Sequence, residues 1–287
     1  MGSPVYIDRP SIVTEPPSLD QLAVISWNAH LADGELPALV NDLKSGELTG
    51  QPVQHFVLLV QELYRRGVAV PEFDPRDRTA FAIKPRDPES LDIDDHAASL
   101  GLSVLYVPSM RNGAGLREDR GNAILSTERL LDPVALELPL ARQRRVALAA
   151  AIDVRTADGV RRLRVVDAHL EPLSSPRTLW VFKDPRPTQV RALLSLLQEP
   201  AFADDRTAGI VIGGDFNTVR SGDAEEAYRL IRRWSTSLAQ EDRRDTHLMG
   251  RLDYVFFRAA NGWVAQTRRL DERFGSDHYP VLATFSH

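Results

Sequence analysis

Apolar residues in this chain come in short, nearly unbroken runs, and the polar residues that stop those runs are of a narrow kind. Leu22–Trp27 ends at Asn28, Phe56–Val60 leads to Glu62, Val165–Ala168 ends at His169, and Ile210–Ile212 leads through two glycines to Asp215. Runs of this length without polar alternation are the pattern of strands covered on both faces. Ser103–Val107, Asn122–Leu125, Leu252–Phe257 and Val281–Phe285 read as further strands. Val146–Val154 and Arg161–Ala168 flank Ala157-Asp158-Gly159, an antiparallel hairpin signal. No run approaches the roughly 20 apolar residues of a bilayer span, so no transmembrane segment is expected.

Helices fall between these runs. Glu35–Leu43 and Ala224–Trp234 are expected helices, and Val190, Leu193, Leu194 and Leu197 recur at i, i+3, i+4 and i+7 behind Pro187. Strands and helices mix without strict alternation, and at least one hairpin is present. That predicts packed mixed sheets rather than a doubly wound nucleotide-binding layout. Tyr64–Ser90, broken by Pro71, Pro75, Pro85 and Pro88, is expected to be a long irregular stretch. Residues 1–18 carry Pro4, Pro10, Pro16 and Pro17 and read as a flexible N-terminal arm. Residues 19–287 read as one domain, because dividing them would divide the candidate site, which runs from Asn28 to His278.

With 40 acidic against 35 basic residues the net charge is −5, which argues against a broadly basic surface gripping duplex DNA along its length. The absence of cysteine excludes disulfides, zinc–thiolate centres and thiol nucleophiles. It does not choose a compartment. The expectation is a soluble monomer, exported if a leader once preceded this sequence and otherwise cytoplasmic.

Carboxylates, amides and imidazoles placed repeatedly at strand ends can converge on one edge of a sheet, where α/β proteins commonly build sites. Glu62, Asp215, Asp277, Asn28 and Asn217 offer oxygen or amide donors, which suit Mg²⁺, with Mn²⁺ or Ca²⁺ as alternatives. Other polar residues have plainer readings. His30 reads as polar rim, and His55, His96, His247 and His287 as surface residues. Asp92–Asp95 reads as a helix start, Asn122 as a turn residue, and Arg186 and Gln189 as structural.

Seven short strings occur in order: Ser26-Trp27-Asn28, Leu59-Val60-Gln61-Glu62, Gly121-Asn122-Ala123-Ile124-Leu125-Ser126, Asp167-Ala168-His169-Leu170, Gly214-Asp215-Phe216-Asn217, Arg251-Leu252-Asp253-Tyr254 and Ser276-Asp277-His278. Together they resemble the endonuclease/exonuclease/phosphatase superfamily, over about residues 22–286. The resemblance implies an α/β fold of the deoxyribonuclease I-like kind, a four-layer sandwich of two packed mixed β-sheets flanked by helices. It implies a metal-dependent phosphoesterase acting on a phosphate ester, with nucleic acid among the possible substrates. Glu62 matches the main metal carboxylate, with Asn28 and Asp277 near the same ion. His278 matches the histidine at the scissile phosphate, held by Asp253. Asp215 and Asn217 match residues that position water or phosphate, and His169 matches a second histidine of some members. Arg145 resembles a phosphate-contacting arginine. Phosphodiester hydrolysis is the expected reaction, with monoester hydrolysis and a non-catalytic binding module as alternatives. No Gly-x-Ser-x-Gly elbow, His-Glu-x-x-His or P-loop points to another enzyme class.

Overall fold

The structure, a computed structural model, describes residues 2–9, 15–72, 80–81, 91–112, 117–172, 184–200, 202, 204, 206–219, 222–259 and 262–287. In chain order these form β1 (Val5–Ile7), β2 (Leu22–Asn28), α1 (Leu36–Ser45), β3 (His55–Arg66), β4 (Ala80–Phe81) and α2 (Ile93–Leu100). Then follow β5 (Ser103–Asn112), β6 (Glu118–Ser126), β7 (Leu131–Glu137), β8 (Val146–Thr156), β9 (Gly159–His169) and α3 (Arg186–Leu196). The last elements are β10 (Thr207–Asp215), α4 (Glu226–Trp234), β11 (Leu238–Gln240), β12 (Asp253–Ala259), β13 (Val264–Arg269) and β14 (Val281–Ser286).

The strands make two mixed sheets. The first runs β1-β5-β6-β3-β2-β14-β13-β11, with β4 beside β5, and the second runs β12-β10-β9-β8-β7. In each sheet one central pair is parallel (β2 with β3, β9 with β10), while the β8–β9 hairpin is antiparallel, as expected. Alternation within the apolar runs explains the layering. Leu22 and Val24 of β2, with Val57 and Leu59 of β3, face the second sheet. Ala23, Ile25 and Trp27, with Phe56, Leu58 and Val60, face α1 and α2 on the other side. Both faces of each strand are therefore dry, which is why the runs carry no polar alternation. The fully buried Trp27 anchors the outer layer, and truncating it to Ala would cost about 3–5 kcal/mol. α3 and α4 cover the second sheet, burying Val190, Leu193, Ala227, Tyr228 and Ile231. The four layers match the expected sandwich.

Local chemistry sets the helix ends. α1 presents Leu36, Leu39, Val40 and Leu43 to the core and stops at Gly46, whose φ of 93° is left-handed. Asp92 caps α2 by accepting hydrogen bonds from the Asp94 and Asp95 amides, so the acidic run starts a helix as expected.

Three expectations change, and three strands had no counterpart in the sequence reading. β3 continues to Arg66, six residues past its apolar run, so Tyr64–Arg66 are strand. The remainder of the expected irregular stretch lies largely outside the described residues. Val5–Ile7, placed in the arm, pairs with β5 as an edge strand, and the Tyr6 hydroxyl donates to the Leu130 carbonyl (2.5 Å). Asn122 is no turn residue: it lies buried in β6 and donates to the Val146 carbonyl across the gap between sheets (3.4 Å). β7, β11 and β13 carry no apolar run because each is half-exposed and lies near a sheet edge. Among the described residues no helix is long and apolar enough to cross a membrane.

The facing layers are not wholly apolar. Gln61 of the first sheet donates to Asp167 Oδ1 of the second at 2.6 Å, and Asp167 Oδ2 is buried without a partner. Burial raises the Asp167 carboxyl well above the usual carboxylate range, against the opposing hydrogen bonds from Gln61 and the Ala168 backbone.

Candidate active site

The strand register gathers the polar run-ends at one end of the sandwich. Asp215 lies opposite His169 on one side and Asp253 on the other, and Asn28 lies opposite Gln61. Gly214 precedes Asp215 with φ 150°, and a Cβ there would run into the Ala168 carbonyl, so β9 and β10 approach as only glycine allows. Glu62 sits where the β3–β6 register slips between Val60 and Leu63, and its own φ is 61°. Such a bulge re-aims one side chain out of the strand's alternation. Without it Glu62 would point to the helix side.

Asp253, His278 and Asp215 form the buried centre. His278 Nδ1 lies 2.8 Å from Asp253 Oδ2, and the donor atoms of all three residues cluster within 4.8 Å. Burial alone would push His278 down. Asp253, by charge and by hydrogen bond, then Asp215 and Asp277, outweigh burial and hold the imidazolium up to about 10. Asp215 is pushed up to about 7 by burial and by the Asp253 charge. His278, the Asn28 side-chain amide at 2.9 Å and the Asn217 backbone N–H at 2.8 Å oppose that rise. His169 lies on the other flank, its Nε2 at 3.5 Å from Asp215 Oδ2. Burial lowers it well below the ordinary histidine range, and Arg145, His278 and Arg120 lower it further, so this ring is neutral.

Asn217 has φ 52° and donates through its side chain to the Leu170 carbonyl at 3.0 Å. Its own carbonyl accepts from Arg186, which Asp184 (2.9 Å) and Glu225 (2.7 Å) hold in place. Arg186 is thus structural, as expected, and so is Gln189, which accepts from the Glu171 amide (2.9 Å) and donates to the Pro139 carbonyl (3.1 Å).

The oxygen donors sit around a strained turn. His30, Leu31 and Ala32 have φ of 45°, 57° and 61°, three consecutive left-handed residues of a kind that concentrates at functional sites. The His30 amide donates to Asn28 Oδ1 (3.0 Å), and the Leu31 amide donates to Glu62 Oε2 (3.0 Å). The His30 ring lies against Asp277, its Nδ1 2.9 Å from Oδ1. That oxygen is buried and has no aligned hydrogen bond. Asp277 Oδ1, which has no aligned hydrogen bond, and the carboxylate and amide oxygens of Glu62 and Asn28 are the donor types of a hard divalent cation, so the chemistry of these residues fits one. Asn28, Glu62 and Asp277 could hold it.

The structure brings His169, Asp215, Asn217, Asp253, His278 and Asn28 together in one array: Asn28 and Asn217 donate to Asp215, His278 is hydrogen-bonded to Asp253, and His169 lies 3.5 Å from Asp215. Glu62 stands apart from that array. Among the described residues it belongs to neither three-residue cluster of His and acidic donors, and it pairs instead with Arg120, whose Nη1 is 3.3 Å from Oε2. Arg145 is fully buried, and burial lowers its pKa against the pull of Glu62, Glu171 and Asp215, so a cation does stand at the site. Arg120, also buried, was not anticipated; the one hint is a charged residue inside an otherwise covered strand next to Gly121. His247 corrects the surface reading. Its Nε2 lies 3.3 Å from Asp277 Oδ2 and its ring packs 4.6 Å from that of His278. It lies in no motif string, and only the fold reveals it.

A search of curated proteins finds no match to the chain. Solved structures share the fold. An endonuclease/exonuclease/phosphatase family protein from Leptotrichia buccalis C-1013-b superposes with TM-score 0.60 at 14% identity, covering 93% of this chain and 100% of that one. The human Nocturnin catalytic domain, with bound sulfate anion, gives TM-score 0.57 at 18% identity over 99% and 97% of the two chains. A mannosyl-6-phosphatase from Bacteroides thetaiotaomicron VPI-5482 gives 0.55 at 12% identity over 93% and 100%. These likenesses fix the fold, and a family model for Endonuclease/Exonuclease/phosphatase matches residues 25–278. The chain belongs to the Endonuclease/Exonuclease/phosphatase family of phosphoester hydrolases.

Proposed function

We propose that the protein is a divalent-cation-dependent phosphodiesterase in which Asp215 and His278 act as the base and acid poles. The observation that carries this reading is the pair of opposed environments at the centre: a buried carboxyl poised at about 7 beside an imidazolium held to about 10. Titratable neighbours pushed apart in this way mark acid–base assignments. Asp215 accepts the proton of the attacking water, and the Asn28 amide and Asn217 N–H stabilise the carboxylate that does so. His278 keeps Nδ1 on Asp253 and offers Nε2–H to the leaving oxygen. His169, neutral, and Arg145 bind and orient the phosphoryl oxygens. Glu62, Asn28 and Asp277 would hold a cation, Mg²⁺ in the first instance, which when bound would supply Lewis-acid stabilisation of charge on a non-bridging oxygen.

Phosphomonoester hydrolysis is the second reading, and specific observations favour it. Arg120 and Arg145 are both buried at the site and His278 is charged, more positive charge than one diester anion needs. The deciding experiment compares kcat/KM for bis-p-nitrophenyl phosphate and p-nitrophenyl phosphate with Mg²⁺ or Mn²⁺, with and without chelator. We expect turnover with added cation, loss in EDTA and a diester preference. Full activity after dialysis into EDTA would overturn the cation requirement, and a clear monoester preference would move the protein to the second reading.

A further inference from the structure

The turn that carries His247 is tightly tied to the strand of Asp253. His247 exchanges backbone hydrogen bonds with Gly250 (3.0 Å each way), and the Thr246 hydroxyl accepts from the Leu252 and Asp253 amides (3.0 Å each). The Thr246 carbonyl accepts from the Tyr279 amide at 2.8 Å, just past Asp277 and His278. The imidazole is therefore delivered to the site by backbone that cannot drift independently of it.

Its protonation pattern is fixed by what surrounds it. The Met249 amide, which can only donate, points at His247 Nδ1 from 3.0 Å. Nδ1 must carry the lone pair, so the proton sits on Nε2, which faces Asp277 Oδ2 at 3.3 Å. The close grouping of His247, Asp277 and His278 looks like a three-ligand metal site. The tautomer argues otherwise, because a ligating Nε2 would need its proton on Nδ1, against the Met249 N–H. His247 is a donor to the carboxylate.

Asp277 has two further neighbours, of which His30 is the nearer, its Nδ1 2.9 Å from Oδ1. The same Oδ1 lies 3.7 Å from His278 Nε2, the nitrogen that the proposed mechanism turns toward the leaving oxygen. A small swing of the carboxylate would close that gap and tie up the Nε2–H in a second ion pair, beside the one that Nδ1 makes with Asp253. We propose that His247 is a positioning residue that anchors Asp277 by Oδ2, keeping Oδ1 turned toward His30 and the divalent cation and away from His278. This rests on the reading of Asp277 as a cation ligand given above.

The test uses His247→Gln, His247→Asn and His247→Leu in the full chain. Gln places an amide N–H near the position of Nε2, whereas Asn falls short of it and Leu has no donor. Mn²⁺ affinity is measured by the electron paramagnetic resonance signal of free ion, beside kcat, KM and the thermal midpoint of each variant. We expect Leu and Asn to weaken Mn²⁺ binding about tenfold to a hundredfold and to lower kcat more than they raise KM, while Gln stays within about threefold of the parent. If Leu does not fold, the Gln and Asn pair carries the comparison. Equal affinities for parent, Gln and Asn, or equal losses in Gln and Asn, would overturn the inference alone. A parent that does not bind Mn²⁺ would bring down the cation reading and this inference with it.

Discussion

The two flanks of Asp215 each present a histidine, and the two are opposites. His278 has a carboxylate on its inner nitrogen, further acids around it, and a charge that survives to about pH 10. His169 is as deeply buried but has arginines for neighbours, and burial first, then those arginines, push it well below the ordinary histidine range. Depth alone therefore does not decide their state: around His278 the acids outweigh burial, whereas around His169 the arginines add to it. In the proposed reading one flank moves a proton and the other only offers a fixed dipole, so loss of the two should cost very different amounts.

The largest expected effect is on the charged flank. His278→Ala should lower kcat/KM by about 10³-fold, within the span typical of a lost general acid. Asp253→Asn should lose nearly as much, and the double variant little more than either, because the pair works as one unit. His169→Gln should cost about tenfold, the worth of one neutral hydrogen bond. Steady-state kinetics of the four variants decides this, and a His169 loss as large as that of His278 would break the contrast.

A smaller but more specific effect lies in the pH profile. Asp215 must lose its proton and His278 must keep its own, so kcat/KM should rise through pH about 7 and fall through about 10. A cation bound as proposed would draw the acid limb lower still. Asp253→Asn should pull the alkaline limb down toward roughly 6.5, the unperturbed histidine value. His169→Gln should leave both limbs where they are. An alkaline limb that stays near 10 in Asp253→Asn would assign it to another group.

The smallest effect concerns a carboxyl that belongs to neither flank. Asp167 has its folded pKa raised by burial. A raised carboxyl contributes stability below the unfolded pKa, about 4, and loses it as pH rises through the folded value. Asp167→Asn cannot ionise and keeps the acceptor for Gln61. Its melting midpoint should exceed the parent's at pH 8, on the order of 2 °C for a chain of this size, and converge with it near pH 4. A lower midpoint at pH 8 would mean that the ionised form is stabilised after all.

Much of this arrangement is legible in the residues themselves. The dry strands show as unbroken apolar runs, and each run-end from Asn28 to Asp215 points to the site because strands of similar length end at a common edge. What the residues could not show is what depends on register and curvature. The bulge at Glu62 is a slip in pairing that no local residue pattern announces, and the pairing of Glu62 with Arg120 follows from it. His247 reaches Asp277 over 30 positions through the fold alone. The strands β7 and β13, at a sheet edge or one strand in from it, stayed hidden for the opposite reason: much of their side-chain surface faces solvent, so polarity masks the strand.

The hydrogen bonds between the two sheets have a consequence for where the chemistry can be altered. Asn28, Glu62, Asp277 and His278 ride on the first sheet, while His169, Asp215 and Asp253 ride on the second. In the proposed reading the reacting phosphate meets both sets, which would make the spacing of the sheets itself a parameter of the reaction. That spacing is set by residues that touch no substrate. A methyl added at Gly213 would stand 2.7 Å from Leu59 Cδ1 and 3.0 Å from Ser26 Cβ, prying the layers apart one residue pair below the site. Selection for turnover therefore reaches into the dry interior, where a residue can be kept for the alignment that it imposes between two halves of the site.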